Sequence, residues 1–243
     1  MSVTLDRNIF SQIGLDSGSL TMLGVVVHSF SSPGRYRGVL YHEGKAESVF
    51  YIESDPNSAA SSVNIDLATL DQPGAEKCGC GAPNHEPGKH FAVNPRGYAV
   101  FHVSGGQGGY AVRVDRAEEQ ARVKFDTREL GEGDLFSAII IRPGTYSVTN
   151  LMTKAKGEII VPYPKMGEAA YHPPNPLKIE CTKSGFEPEK IHTSPGQGQI
   201  YSFKAPSRIK IELLKPDDDH GVRHPAMPSG WRKTPVPKRS AKV

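Results

Sequence analysis

Thirteen consecutive residues gather most of the metal-binding chemistry of this chain: Cys78-Gly79-Cys80-Gly81-Ala82-Pro83-Asn84-His85-Glu86-Pro87-Gly88-Lys89-His90. Two thiolates and two neutral imidazoles form the donor set of a closed tetrahedral Zn²⁺ shell. The glycines let the backbone curl until both sulfurs face one ion. Metal binding would also organise a loop too polar to pack by itself, because binding energy is then folding energy. Lys77 and Lys89 offset part of the charge of two thiolates. Cys78, Cys80, His85 and His90 are therefore the expected ligands, with zinc favoured over copper. The spacing departs from standard zinc motifs, since one residue separates the cysteines instead of two. Such a pair also suits Cu(I) or a redox couple, and a glycine-rich surface loop with incidental thiols is the competing reading. Four protein ligands would close the shell and make the site structural. A metalloenzyme needs an open position, with His102 as a substitute ligand.

Other candidates are weaker. His28, His42, His102, His172 and His192 fall on or near strands. Three of them facing inward would make a facial metal site, but no two-His-plus-Glu motif accompanies them. Gly105 to Gly109 lacks the Lys-Ser/Thr of a phosphate loop and precedes a strand instead of a helix. Cys181 has no neighbouring base and reads as a buried strand residue. Tyr98, Tyr110 and Tyr146 offer stacking surfaces for a carbohydrate-like ligand.

The net charge of +3 is unevenly placed. Residues 222–243 hold Arg223, Arg232, Lys233, Lys238, Arg239 and Lys242 and no acid. The preceding chain is mildly acidic, so the high isoelectric point belongs to the tail. Trp231 with Arg232, Lys233, Lys238 and Arg239 is the expected anchor on a protein partner, since Trp and Arg are enriched at hot spots. Phosphate contacts from the same cations are the alternative, with little aromatic stacking to help.

The elements that must position these groups are strands. Twenty-five Gly and 20 Pro in 243 residues exclude a mainly helical protein, and no three-residue Gly period suggests collagen. Runs rich in Val, Ile and aromatic residues alternate between turn signals, as at 20–30, 35–42, 48–53, 98–103, 135–142, 199–203 and 209–214. The pattern predicts a strand over 63–70, a short helix over 115–122 and an irregular loop over 71–97. Two stretches resemble each other. Ser32-Pro33-Gly34-Arg35-Tyr36 and Arg142-Pro143-Gly144-Thr145-Tyr146 lie 110 residues apart, and each opens a strand, hairpin and strand. The expected hairpin tips are Glu43-Gly44-Lys45 and Lys156-Gly157-Glu158. Either a duplication or two independent hairpins after a common turn accounts for this.

Gly185-Phe186-Glu187-Pro188, Ile191, Gly196-Gln197 and Ile200-Tyr201-Ser202-Phe203 resemble a strand pair of cupredoxin-like and immunoglobulin-like sandwiches. The resemblance covers residues 177–214 and implies a β-sandwich. It does not extend to blue-copper ligands, because no Cys follows Phe203.

The sequence thus predicts an all-β protein of two β-sandwich domains, at 1–130 and 131–216. A Cys/His loop protrudes from the first, and a disordered basic tail occupies 217–243. No apolar run is long enough to span a bilayer, no secretory signal opens the chain, and three cysteines suggest reduced thiols in the cytoplasm. The expected function is that of a non-catalytic accessory or structural subunit binding a protein partner, with a metal-stabilised loop. The competing classes are a metalloenzyme with an open Cys/His site and a small-ligand binding module.

Overall fold

The computed structural model describes residue 9 and residues 12–70, 88–118, 123–163 and 174–217. Cys78, Cys80, His85, His172 and the tail residues Trp231, Arg232, Lys233, Lys238 and Arg239 lie outside the described residues.

The chain is all-β. The first half contributes β1 (Gly14–Asp16), β2 (Gly24–Ser29), β3 (Gly34–His42), β4 (Lys45–Ser54), β5 (Ser62–Asp66), the one-turn helix α1 (Leu67–Leu70), β6 (Lys89–Val93), β7 (Tyr98–His102) and β8 (Tyr110–Arg116). The second contributes β9 (Val123–Asp126), β10 (Leu135–Ile139), β11 (Gly144–Asn150), β12 (Lys156–Val161), β13 (Leu177–Cys181), β14 (Phe186–Glu187), β15 (Lys190–His192), β16 (Gly198–Phe203) and β17 (Ile209–Pro216).

These strands form three sheets. A central sheet runs β14-β13-β16-β10-β2-β7-β5, drawing strands from both sides of residue 130. The outer sheets are β9-β8-β3-β4-β6 and β1-β17-β11-β12-β15. Except for β14, every strand of one half has a counterpart with the same neighbours in the other. The equivalents β2 and β10 pair antiparallel with Val26 opposite Phe136. These two residues are also 110 positions apart, so an approximate twofold axis passes between them. The β8–β9 pair is a sequential connection that supplies an edge strand to the first outer sheet. The corresponding edge of the second is filled by β1, from the opposite end of the chain.

One face of the central sheet is buried. Val26, Ile65, Phe101, Phe136 and Tyr201 on that face have no measurable exposure. Phe101 packs on Phe50 and Phe125 of the first outer sheet, while Phe186 lies against Gly157 of the second. All join one continuous apolar core.

The repeated Pro-Gly-x-Tyr turn has a clear physical role. Tyr36 donates its hydroxyl to the Ser32 carbonyl at 2.8 Å, and Tyr146 donates to the Arg142 carbonyl at 2.7 Å. Both rings are buried, so each ties a turn to the core. Gly34 and Gly144 adopt φ of 142° and 153°, a region that disfavours side chains.

Four local expectations are corrected. Residues 67–70 are helical because Asp66 accepts from Ala68 N and its carbonyl accepts from Thr69 Oγ1, turning the chain out of β5. Residues 115–116 continue β8 instead of starting a helix, because Asp115 and Arg116 pair with Arg37 and Tyr36. The predicted irregular loop contains β6, which pairs in parallel with β4. Lys156-Gly157-Glu158 is not a hairpin tip but part of β12; the chain reverses at Leu151–Lys154, where Lys154 takes φ 65°.

Candidate functional site

Of the four expected metal ligands, His90 is the one among the described residues. It lies on β6, an edge strand, two residues beyond Gly88. Its ring is exposed and stacks on Tyr51 of β4, with centroids 5.0 Å apart and planes at 19°. The guanidinium carbon of Arg35 stands 4.4 Å from the centroid of the same Tyr51 ring. A cation over an aromatic face is attracted by the ring quadrupole.

Strand alternation explains why these groups meet. On β3, Tyr36, Gly38 and Leu40 point into the core, leaving Arg35, Arg37, Val39 and Tyr41 on the outer face. His90, Tyr51, Arg37 and Asp115 then form one row across four strands. In the next row Arg113 pairs with Asp115 at 3.1 Å. At the corner, Arg128 holds Asp126 through two nitrogens, at 2.8 and 2.7 Å, while standing 4.7 Å from the Tyr41 ring. The hydrogen bonding to Asp126 raises the Arg128 pKa against a smaller desolvation effect. The result is an arginine-bearing surface laid over the half-buried Tyr41 and the buried Tyr51, with His90 at one edge.

The second outer sheet has the same register and different chemistry. The row equivalent to His90-Tyr51-Arg37-Asp115 is Lys190-Glu158-Ser147-Glu212. Lys190 and Glu158 form an exposed ion pair at 3.0 Å. Arg35 corresponds to Thr145, and no aromatic ring occupies the row.

The remaining histidines do not converge. His28 lies beside Asp134, with Nδ1 2.7 Å from Oδ1, and packs on Phe30 and Phe125. Asp134 also accepts from Gly131 N. His42 contacts Glu47 and the Gly108 carbonyl and stacks on Tyr110. His102 faces outward from the central sheet, whereas His90 belongs to an outer sheet, and His192 is exposed on β15. Among the described residues, no group of three or more His, Cys, Asp or Glu is placed to hold a metal. Tyr98, Tyr110 and Tyr146 fall in three different sheets, and Tyr146 is buried, so they do not form one stacking surface.

Cys181 is fully buried. Burial first, and then the nearby Glu180 charge, push its thiol pKa up to about 12. It is therefore a neutral core group. The Arg35–Tyr51–His90 stack escaped sequence reasoning because β6 could not be placed beside β4. The available signal was Arg35 and Arg37 alternating with core residues, two positions apart on one strand.

No helix among the described residues is long and apolar enough to cross a membrane. No protein-family model, curated protein or solved structure matches the chain.

Proposed function

We propose that this chain is a non-catalytic accessory or structural subunit that binds a protein partner through the outer face of the β9-β8-β3-β4-β6 sheet. The observation carrying this reading is the Arg35–Tyr51–His90 stack, continued by Arg37 and by Arg128 over Tyr41. Arg and Tyr are enriched where binding energy concentrates. Stacking also limits side-chain motion before a partner arrives, which lowers the ordering cost of binding. Each half is one sandwich of a duplicated pair, and the protein works in the cytoplasm.

The loop entering β6 is stabilised by zinc held by Cys78, Cys80, His85 and His90. The donor chemistry supports this, as does the position of His90 at the base of that segment. The tail around Trp231 adds a second contact to the partner.

The binding reading is tested by quantitative co-purification with the natural host extract. Arg35→Thr and Arg37→Ser, which install the second half's residues, should remove a stoichiometric partner that Thr145→Arg and Ser147→Arg do not affect. Retention of that partner in both sets would exclude this face. For the loop, metal analysis should find one zinc per chain, lost in Cys78→Ser together with a lower melting temperature. Absence of metal and indifference to chelator would sink the zinc proposal.

A further inference from the structure

The second face of the central sheet carries side chains that water does not favour. Register places Val25 and Val27 of β2, Val100 of β7, Leu135 and Ile139 of β10, and Ile200 of β16 on the side away from the buried core. Leu135 and Ile139 are 37% and 36% exposed. An antiparallel sheet with one solvated face normally alternates apolar inside with polar outside. The outer sheets keep that rule more closely, with Thr145, Ser147 and Thr149 outward on β11 and Arg35 and Arg37 outward beside Val39 and Tyr41 on β3. Four adjacent strands of the central sheet break it at these positions, although Ser137, Ser202 and His102 share the same face. The flanks are polar again, with Ser62, Asn64 and Asp66 on β5 and Lys178 and Glu180 on β13. An apolar centre within a polar rim is the anatomy of a protein interface.

We infer that this face joins two copies of the chain, sheet to sheet. Size supports self-association. Seven strands about 4.8 Å apart and about five residues long at about 3.3 Å each give roughly 500 Å² per copy. Two such faces bury about 1,000 Å², the lower bound for a specific interface. Charge selects a second copy as the occupant. Lys178 is opposite Ile200, which faces Ser137 and then Val25; extended one residue beyond the Val26–Phe101 pair, the same line reaches His102 and its partner Asp66. The two charges thus end one row on opposite flanks. A twofold axis parallel to the strands sets each Lys178 against Asp66 of the other copy, satisfying both pairs at once. Asp66 already accepts from Ala68 and Ser104, which holds its carboxylate in place with acceptor capacity to spare.

Sedimentation velocity on the full chain decides the matter. The expected result is a concentration-dependent mass rising to twice 26.4 kDa. Leu135→Lys should raise the dissociation constant at least about 30-fold, since a buried charge opposes the contact. At concentrations where both proteins are monomeric its melting temperature should match the parent chain, because that side chain points away from the core. Ile139→Lys provides a second probe in case Leu135→Lys misfolds. Lys178→Glu should weaken the dimer about fivefold at low salt and less at high salt. A monomer up to about 100 µM, or a dimer indifferent to both lysine variants, would overturn the inference. So would a monomer that dimerises only after deletion of residues 218–243, which would make the tail the occupant. None of these readouts uses the partner surface on the outer sheet, so either proposal can fail alone.

Discussion

The two outer sheets share a strand order and a register, yet their exposed faces carry opposite solutions to the same geometry. Tyr51 and His90 stack where Glu158 and Lys190 form a surface ion pair. Arg37 stands where Ser147 does, and Arg35 where Thr145 does. The cores differ too, at equivalent depth. Leu67 and Phe101 in the first half correspond to Cys181 and Tyr201 in the second. Tyr201 donates to Gln199 Oε1 at 2.7 Å, and Gln199 Nε2 is buried without a partner among the described residues. At the axis, His28–Asp134 joins the halves at one end of the β2–β10 ladder, and the equivalent positions at the other end are Ala138 and Gly24. Shared backbone architecture thus tolerates divergence in both the surface and the core. It depends on pairing and apolar volume, whereas binding chemistry depends on individual side chains.

The largest expected difference between halves appears at alkaline pH. Burial raises the Cys181 pKa from 9.0 to about 12 and pushes Tyr201 well above its ordinary value. An unfolded chain releases these protons from about pH 9, while the folded chain keeps them. The folded state then binds more protons, so stability falls as pH rises from 9 toward 12. A three-unit shift at Cys181 corresponds to about 4 kcal/mol at the upper limit. Denaturant midpoints measured from pH 8 to 11 should show a shallower decline in Cys181→Ala/Tyr201→Phe. An unchanged slope would refute the assignment. Some decline should persist, because burial also raises Tyr36 despite the opposing Arg116 charge.

The equivalent turn glycines give the next contrast. A Cβ on Gly144 would meet the Lys215 carbonyl at 2.6 Å and Leu213 at 2.8 Å. On Gly34 its nearest contact is the movable Arg116 side chain at 3.2 Å. Gly144→Ala should cost about 3 kcal/mol through strain and overpacking. Gly34→Ala should cost about 1–2 kcal/mol through strain alone. Equal losses in urea titrations would contradict this difference.

His28→Ala converts the axis position to the residue of the second half. It should destabilise by about 2 kcal/mol, because Asp134 is buried and loses its His28 partner, keeping Gly131 N. A change in the unfolding midpoint too small to resolve would make the pair incidental.

The smallest expected effect tests sameness. Tyr36→Phe and Tyr146→Phe each remove one hydroxyl bond to a turn carbonyl and should each cost about 1 kcal/mol. A threefold disparity would mean that the two turns are not equivalent.

How much was readable beforehand follows from the range of each interaction. The strands of both hairpins were legible because alternation over adjacent residues is local. The repeated Pro-Gly-x-Tyr turn was legible too, although burial of its Tyr became visible only in the folded chain. Short strands such as β1 and β6 carry too few residues for a pattern. The Asp66-capped turn interrupted a run that otherwise reads as one strand. The site was only partly visible. His90 was singled out for its imidazole, but its stacking partner Tyr51 comes from β4, and parallel pairing of β6 with β4 leaves no mark in composition.

Asp126 and Asp16 show the division most plainly, since both occupy the same place in their repeats. Asp126 is held by Arg128, two residues away, a contact within reach of the sequence. Asp16 is held by Arg208, 192 residues away, with the same two-nitrogen grip at 2.9 Å. The sequence by itself determined the strand character of the longer alternating runs and the likeness of the two Pro-Gly-x-Tyr stretches, because these rest on neighbouring backbone and side-chain preferences. Only the tertiary structure decided that β1 completes the far sheet, that the second face of the central sheet carries an apolar centre, and that Arg35 and His90 both lie against Tyr51. Those outcomes depend on which hydrogen-bonding edges find each other, and edge pairing is set by the burial of the whole core.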